Sequence, residues 1–237
     1  MHLSDYPDPS EALKFASSAD ILLVSAGVGA DSSAKTLSIS RKNPSSVRAF
    51  VGVHPSEAEK ERTASWVEGC LASASGVGEI GLDPKYSELT GRGLQMDLFR
   101  EQLALAEKAE KPVEVHSRGA EKECLEVLST FRLQAVQLHW FQKEELVRIA
   151  NEKEYYVSFG PALIVSKKLQ RMAAAWDRGR IMVESDGPVS FTLLGGAGGP
   201  WLIPSVVFKL ALVLGSSFEE TARIVVNNSL TFLGEKA

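Results

Sequence analysis

Histidine and carboxylate side chains recur in this chain where short apolar runs end. Each run is followed by a longer amphipathic stretch, which is the pattern of a buried strand leading into a helix. The polar residues at or near these ends are His54, Glu79, Asp83, His116, His139 and Asp186. Imidazole nitrogens and carboxylate oxygens together suit divalent cations such as Zn²⁺, Mn²⁺, Mg²⁺ or Fe²⁺. The pattern therefore predicts a metal site, provided that the strands bring these side chains together.

Seven apolar runs are predicted strands, and they alternate with predicted helices. The strands are 21–27, 47–53, 76–82, 112–117, 135–140, 155–160 and 180–186. The helices that follow them lie near 30–42, 57–74, 92–110, 119–131, 143–153, 166–177, 202–214 and 218–233. Such alternation requires a parallel sheet. Because a (β/α) barrel closes with eight strands, we predict an α/β, TIM-type barrel whose first strand is missing or truncated, with residues 1–237 as a single domain.

In such a barrel the carboxyl ends of all strands surround one mouth. The histidines and carboxylates above then converge there, and Glu79 is central enough to be shared by two cations that hold a bridging hydroxide. A further helix is predicted to begin near residue 8, and His2 precedes it, where a residue that ends a missing first strand would lie. We therefore ask whether His2 belongs to this site or to a disordered tail.

Structural roles also account for several of these residues one at a time. His54 before Pro55 could cap the helix at 57–74, and Asp83 could form a turn with Pro84. Asp186 before Gly187 is a common way to begin a turn. Convergence favours the metal site, since equivalent positions in five units carry the same kinds of side chain.

The composition restricts the class of protein. The chain has 237 residues, 44% hydrophobic and 24% charged, with a formal net charge of −4, so no overall positive field attracts nucleic acid or an anionic membrane. Cys70 and Cys124 show no metal-binding spacing. No signal peptide or membrane-spanning run is apparent, and we expect a cytoplasmic protein with no membrane partner. The segment GVGADS lacks the third glycine of a dinucleotide loop.

Ordered motifs over nearly the whole chain resemble the TatD family of metal-dependent hydrolases. They are GVHPSEAE, VGEIGLDPKY, QMDLFREQLALAEKAEKPVEVHSRGA, LHWF and VESDGPV. The resemblance implies a TIM-type barrel of the amidohydrolase-like class with one or two divalent metal ions (Zn²⁺, Mg²⁺ or Mn²⁺). It also implies deoxyribonuclease activity, in which a metal-bound hydroxide attacks a phosphodiester. DNA or a small phosphodiester is then the expected partner.

The resemblance also implies roles for individual residues. Glu79 corresponds to a metal-bridging carboxylate, and His116 and His139 correspond to two later metal ligands. Asp186 corresponds to the aspartate that binds metal and takes the proton of the attacking water. His54 and Arg118 correspond to contacts with the substrate phosphate.

The first residues match only the second half of the family's H-x-H-L motif. His2 then corresponds to a metal ligand, and the chain as given starts inside the motif. We expect His2 to lie on a frayed terminus beside two exposed strand edges, with incomplete metal at the first position and weak activity.

The mouth of the barrel also departs from the family's pattern. WFQK stands where a small residue and a glycine usually follow the histidine, so that Trp140 and Gln142 intrude on the mouth. Gly119 stands where an acidic residue is common, and Ser185 replaces threonine. Hydrolysis of a small ester, lactone or amide at the same centre, or a catalytically impaired barrel, therefore remains an alternative.

Overall fold

A computed structural model describes residues 1–191 and 196–236 of the chain. Seven parallel strands pair in sequential order to form one curled sheet, as the alternation of runs predicts. The strands are β1 Leu23–Ala26, β2 Val47–Val51, β3 Gly76–Gly81, β4 Val113–His116, β5 Val136–His139, β6 Tyr156–Phe159 and β7 Ile181–Val183. The expected TIM-type α/β fold is therefore confirmed.

Helices connect successive strands and cover the outer face of the sheet. They are α1 Ser10–Ser18, α2 Ala30–Lys42, α3 Ala58–Glu61, α4 Trp66–Cys70, α5 Pro84–Thr90, α6 Arg92–Lys108, α7 Glu121–Leu128, α8 Val147–Glu152, α9 Lys167–Ala175, α10 Ile203–Leu214 and α11 Phe218–Leu233. Ser190–Phe191 and Gly196–Ala197, named β8 and β9, form a small antiparallel ribbon. Gly195, part of the glycine-rich loop at 195–199, lies outside the described residues.

The single helix expected over residues 57–74 is wrong. A 3-10 turn at Pro55–Glu57 leads into α3, which ends at Arg62, and α4 begins only at Trp66. The break occurs because Arg62 adopts the left-handed conformation with φ 53°, which ends an α-helix. The predicted helix at 143–153 likewise starts as a 3-10 turn at Glu144–Leu146 before α8 begins.

The core lies between the sheet and its helices, and β3 lies within it. Every residue of β3 is buried. Its register with β4 shifts by one residue between Val77 and Ile80, an irregularity of the kind found beside active sites. Gly81 has φ 139°, and a Cβ there would lie 2.1 Å from the carbonyl oxygen of His116. Only glycine allows β3 to approach β4 this closely, and Glu79 and His116 are thereby brought together.

The N-terminal residues lie between the two edge strands of the sheet. Within the described residues β1 and β7 do not pair, and a cavity of about 640 Å³ lies between them. The Ala26 N–H donates to the Met1 carbonyl (2.9 Å), and the His2 N–H donates to the Gly187 carbonyl (2.7 Å). Leu3 is completely buried. The expectation that His2 lies on a frayed terminus is therefore wrong, because β1, the loop after β7 and the core hold this segment.

No single helix of the described residues is long and apolar enough to cross a membrane. The helical segments Pro200–Leu214 and Phe218–Leu233 reach that length and hydropathy only when taken together, and the pair is bent by 107°.

Candidate metal-binding active site

The structure brings six of the side chains singled out in the sequence to the mouth of the barrel. All six are buried, and they come from the N-terminus and from the carboxyl ends of β2, β3, β4, β5 and β7. They are His2, His54, Glu79, His116, His139 and Asp186. Parallel strands order these ends around one rim, so residues up to 184 positions apart become neighbours.

Glu79 is the centre of this group. Its Oε1 lies 2.6 Å from Nδ1 of His116 and 3.7 Å from Nε2 of His139. Its Oε2 lies 3.2 Å from Nε2 of His2. Nε2 of His54 lies 3.6 Å from Oε1. The two carboxylate oxygens therefore face different sets of imidazoles, which is the arrangement that a shared carboxylate requires.

Three histidines each have one ring nitrogen tied to an acceptor and the other turned towards the carboxylates. Nδ1 of His2 lies 2.9 Å from the Ala26 carbonyl. Nε2 of His116 lies 2.8 Å from Asp83, and Nδ1 of His139 lies 2.6 Å from Glu184. Such outer acceptors fix the orientation and tautomer of metal-binding histidines. The donor set therefore fits a divalent cation.

His54 differs from the other three histidines, because its outer ring nitrogen faces a hydrogen-bond donor instead of an acceptor. Its Nδ1 accepts the backbone N–H of Ser56 at 3.1 Å and lies 2.8 Å from the Ser56 hydroxyl. Because Nδ1 is an acceptor, the proton of the neutral ring is on Nε2, which then donates rather than binding a metal. Ligand atoms of His54, Glu79 and His116 lie within 4.8 Å of one another, but this tautomer favours a substrate contact for His54.

Two residues combine the structural role that the sequence offered with a contact in the site. His54 caps the 3-10 turn at Pro55–Glu57 through Ser56. Asp83 caps α5 by accepting the Lys85 N–H with Oδ1, while its Oδ2 faces His116. A cap and a contact with the site are therefore compatible, because one residue offers two polar atoms.

Burial and pairing shift the proton affinities of the group strongly. Burial opposes protonation of His2, but hydrogen bonds to Asp186 and Glu79 raise its pKa to about 10. Burial opposes ionisation of Asp186, but the His139 charge and the hydrogen bond to His2 lower its pKa to about 2. Burial lowers the pKa of His54 to about 3. Binding of a divalent cation would therefore displace protons from histidines.

The sequence did not single out Glu184, although it lies two residues before Asp186. Glu184 Oε2 accepts from His139 Nδ1 and from the Ser158 hydroxyl. Ser158 in turn accepts from Gln137 at 2.9 Å. The sequence marked Glu184 only as an acidic residue within the VESDGPV motif. Its partners on β5 and β6 are evident only in the structure, where these strands and β7 are adjacent.

Arg118 lies at the rim, as a substrate contact requires. Its Nη2 and Nε lie 2.6 and 2.9 Å from Asp83 Oδ2, and its side chain is 30% exposed. The guanidinium carbon lies 5.6 Å from the ring centroids of both Tyr86 and Trp140. A cation held between two rings and a carboxylate is fixed in position while one side stays accessible to solvent.

Comparison with known proteins places these features in a family. The model of the family described as TatD related DNase matches residues 1–234. An uncharacterized metal-dependent hydrolase of Haemophilus influenzae is 24% identical over 98% of this chain and 96% of its own length. The human protein named deoxyribonuclease TATDN3 is 26% identical over 83% of this chain and 77% of its own.

Solved structures show the same fold. The crystal structure of YJJV, a TatD homologue of Escherichia coli K12, superposes with a TM-score of 0.87 at 23% identity, covering 99% of this chain and 96% of that one. A TatD-family hydrolase of Entamoeba histolytica has a TM-score of 0.82 at 15% identity, covering 98% and 93%.

Proposed function

Since this chain belongs to the TatD-related DNase family of metal-dependent hydrolases, we propose that it hydrolyses phosphodiesters in DNA or in a small nucleotide substrate. The observation that carries the proposal is the grouping of imidazoles around Glu79, with His54 and Arg118 beside it. The residues that would hold one or two ions of Zn²⁺, Mg²⁺ or Mn²⁺ are His2, Glu79, His116, His139 and Asp186. A divalent cation bound there supplies Lewis-acid polarisation of the phosphate and makes water more acidic.

The chain's own residues supply the remaining steps. Asp186 is ionised at neutral pH because its pKa is lowered to about 2. It can therefore accept a proton from the attacking water and return it to the oxygen that leaves as the old P–O bond breaks. The His54 Nε2–H donates to a phosphate oxygen. The Arg118 guanidinium offers its remaining N–H groups to the same phosphate, because a planar fork suits an oxyanion. Burial of the group excludes bulk water and strengthens each of these interactions.

A small ester, lactone or amide is the second candidate substrate class. The observation that favours it is the pairing of Arg118 with Asp83 at 2.6 Å, which neutralises a cation at the rim. A chain with net charge −4 also lacks the excess of positive charge by which proteins usually bind extended DNA.

The test uses the full chain loaded with Mg²⁺, Mn²⁺ or Zn²⁺ in separate reactions. Nucleotide release from single-stranded DNA and hydrolysis of bis-(p-nitrophenyl) phosphate are measured beside hydrolysis of p-nitrophenyl acetate. We expect phosphodiester cleavage that is lost in Asp186→Asn. Cleavage of the ester alone favours the second candidate, and identical phosphodiester rates for both proteins refute the proposal.

A further inference from the structure

Trp140 connects the base of the proposed reaction to the phosphate contact. It follows His139 directly after β5 and has φ 53°, a conformation that bulky residues rarely adopt. Its indole Nε1–H donates to Oδ2 of Asp186 at 3.0 Å. In the sequence Trp140 is notable only because it departs from the family's pattern at the mouth. The hydrogen bond to Asp186 shows what this residue contacts there.

The hydrogen bond determines how the Asp186 carboxylate is turned. With Oδ2 held by the indole, Oδ1 lies 3.6 Å from Nε2 of His2 and 3.7 Å from Nε2 of His139. The terminal torsion of an aspartate is broad, with little intrinsic preference. Without the N–H donor the carboxylate could therefore rotate away from the two imidazoles.

The indole itself is held by contacts independent of Asp186. The Arg118 guanidinium carbon lies 5.6 Å from its ring centroid, within the range of a cation–π interaction. The His139 ring meets it edge to face at 6.2 Å. Arg118 is in turn bonded through Nε to Asp83, which also holds His116. The ring therefore has a defined place from which to direct its N–H.

We propose that Trp140 is a positioning residue with two separable actions: its N–H orients Asp186 for metal binding, and its ring face holds Arg118 for the phosphate. The first action rests on the proposed metal-dependent site alone, and the second rests also on the proposed phosphate-bearing substrate. Loss of an outer hydrogen-bond partner typically weakens metal binding about 10–100-fold.

The first experiment measures zinc affinity of the purified full chain by competition with a chromophoric chelator, in the absence of substrate. Trp140→Phe keeps an aromatic ring but removes the N–H, and we expect zinc to bind at least about tenfold more weakly. Trp66→Phe is the matched control, because the Trp66 Nε1 is buried without a hydrogen-bond partner in the described residues. Equal affinities of Trp140→Phe and the unaltered chain overturn the inference, as does an equal loss in both variants.

A second variant separates the N–H from ring shape. Benzothienylalanine at position 140 replaces the N–H by sulfur and keeps the bicyclic ring, so it addresses the same question if Trp140→Phe unfolds. Weakened zinc binding in this variant supports the inference, and unchanged binding contradicts it. If the unaltered chain binds neither Zn²⁺ nor Mn²⁺, there is no site for Trp140 to shape and the inference fails.

Kinetics on bis-(p-nitrophenyl) phosphate separate the two actions. At saturating metal we expect Trp140→Phe to lower kcat with little change in KM, since Arg118 keeps an aromatic neighbour. Trp140→Ala should also raise KM, and equal KM values for the two variants contradict the role of the ring. If the unaltered chain cleaves no phosphodiester, the proposed function fails, while the zinc titrations still decide whether Trp140 orients Asp186.

Discussion

Oδ2 of Asp83 lies 2.8 Å from Nε2 of His116, while Oδ1 of the same carboxylate accepts the Lys85 N–H at 2.9 Å. One side chain therefore begins α5 and fixes the imidazole whose other nitrogen contacts Glu79. Because the two oxygens have different partners, the two roles can be separated experimentally.

Asp83→Asn should weaken metal binding while leaving the fold intact. The amide oxygen can still cap α5, but the amide nitrogen then faces His116 and Arg118, both of which donate. We expect about tenfold weaker zinc binding and a lower Tm of a chain that still folds, because donors then face each other; chelator competition and thermal unfolding measure the two effects. A large fall in Tm with unchanged zinc affinity would assign Asp83 a purely structural role.

Glu79→Gln should release at least one metal ion per chain. The substitution keeps the shape of the side chain but removes the charge that two cations would share, and the buried Glu79 faces the imidazoles of the site. We expect elemental analysis to show reduced metal content, with little loss of folded structure by circular dichroism. The exposed Glu145→Gln is the control. Full occupancy of both positions in Glu79→Gln rules out a bridging role.

His2→Ala should lower metal affinity without detaching the N-terminal segment. Leu3 remains buried and its N–H still donates to the Ser25 hydroxyl at 3.0 Å. We expect zinc binding to weaken at least about tenfold, because loss of a ligand should cost no less than loss of a hydrogen-bond partner behind a ligand. The control Ser4→Ala should bind zinc like the unaltered chain. The idea that His2 is a ligand does not survive if both variants bind zinc equally well.

His54→Ala should raise KM and spare the metal. Its Nε2–H is a donor in the tautomer that the Ser56 N–H requires, so its removal costs one hydrogen bond to a charged phosphate. Such a bond contributes about 1.5–3 kcal/mol, or roughly 10–100-fold in KM for bis-(p-nitrophenyl) phosphate. Metal content measured on the same preparation provides the control. A loss of metal equal to that of Glu79→Gln would make His54 a ligand instead.

Glu114→Gln should stabilise the protein at alkaline pH. Glu114 Oε2 is buried without a hydrogen-bond partner in the described residues, and burial raises the pKa of this carboxyl. Because the folded pKa lies above the unfolded value, ionisation opposes folding. This cost is absent below the unfolded pKa of about 4.3 and is complete above the folded pKa.

The difference in Tm between Glu114→Gln and the unaltered chain should therefore increase from pH 4 to pH 8. Removing a buried unpaired charge is worth about 1 kcal/mol or more, and each 1 kcal/mol corresponds to about 2–4 °C at this chain length. Thermal unfolding at both pH values measures the effect. The control Glu145→Gln, at an exposed site, should give a difference in Tm that is constant with pH. The same constancy for Glu114→Gln would mean that ionisation of Glu114 does not destabilise the fold.

Periodicity in the sequence was sufficient to predict the seven parallel strands and the convergence of their ends. Buried strands read as continuous apolar runs, and parallel order forces their carboxyl ends to one rim. His116 and His139 end β4 and β5, and Glu79 lies within β3, as the pattern predicts. The break at Arg62 was not predictable, because helical periodicity alone does not reveal a left-handed residue.

Only the tertiary structure decided how the converging side chains are oriented. Which nitrogen of His2, His54, His116 or His139 faces Glu79 depends on acceptors and donors supplied by other strands or by a local turn. Glu184 and Trp140 acquire their partners 45 and 46 residues away along the chain. The sequence alone determined which residue types reach the mouth, because each strand end can be located from its own apolar run. Their hydrogen bonds were settled only by packing, because those contacts depend on the register, bulge and backbone angles of several strands at once.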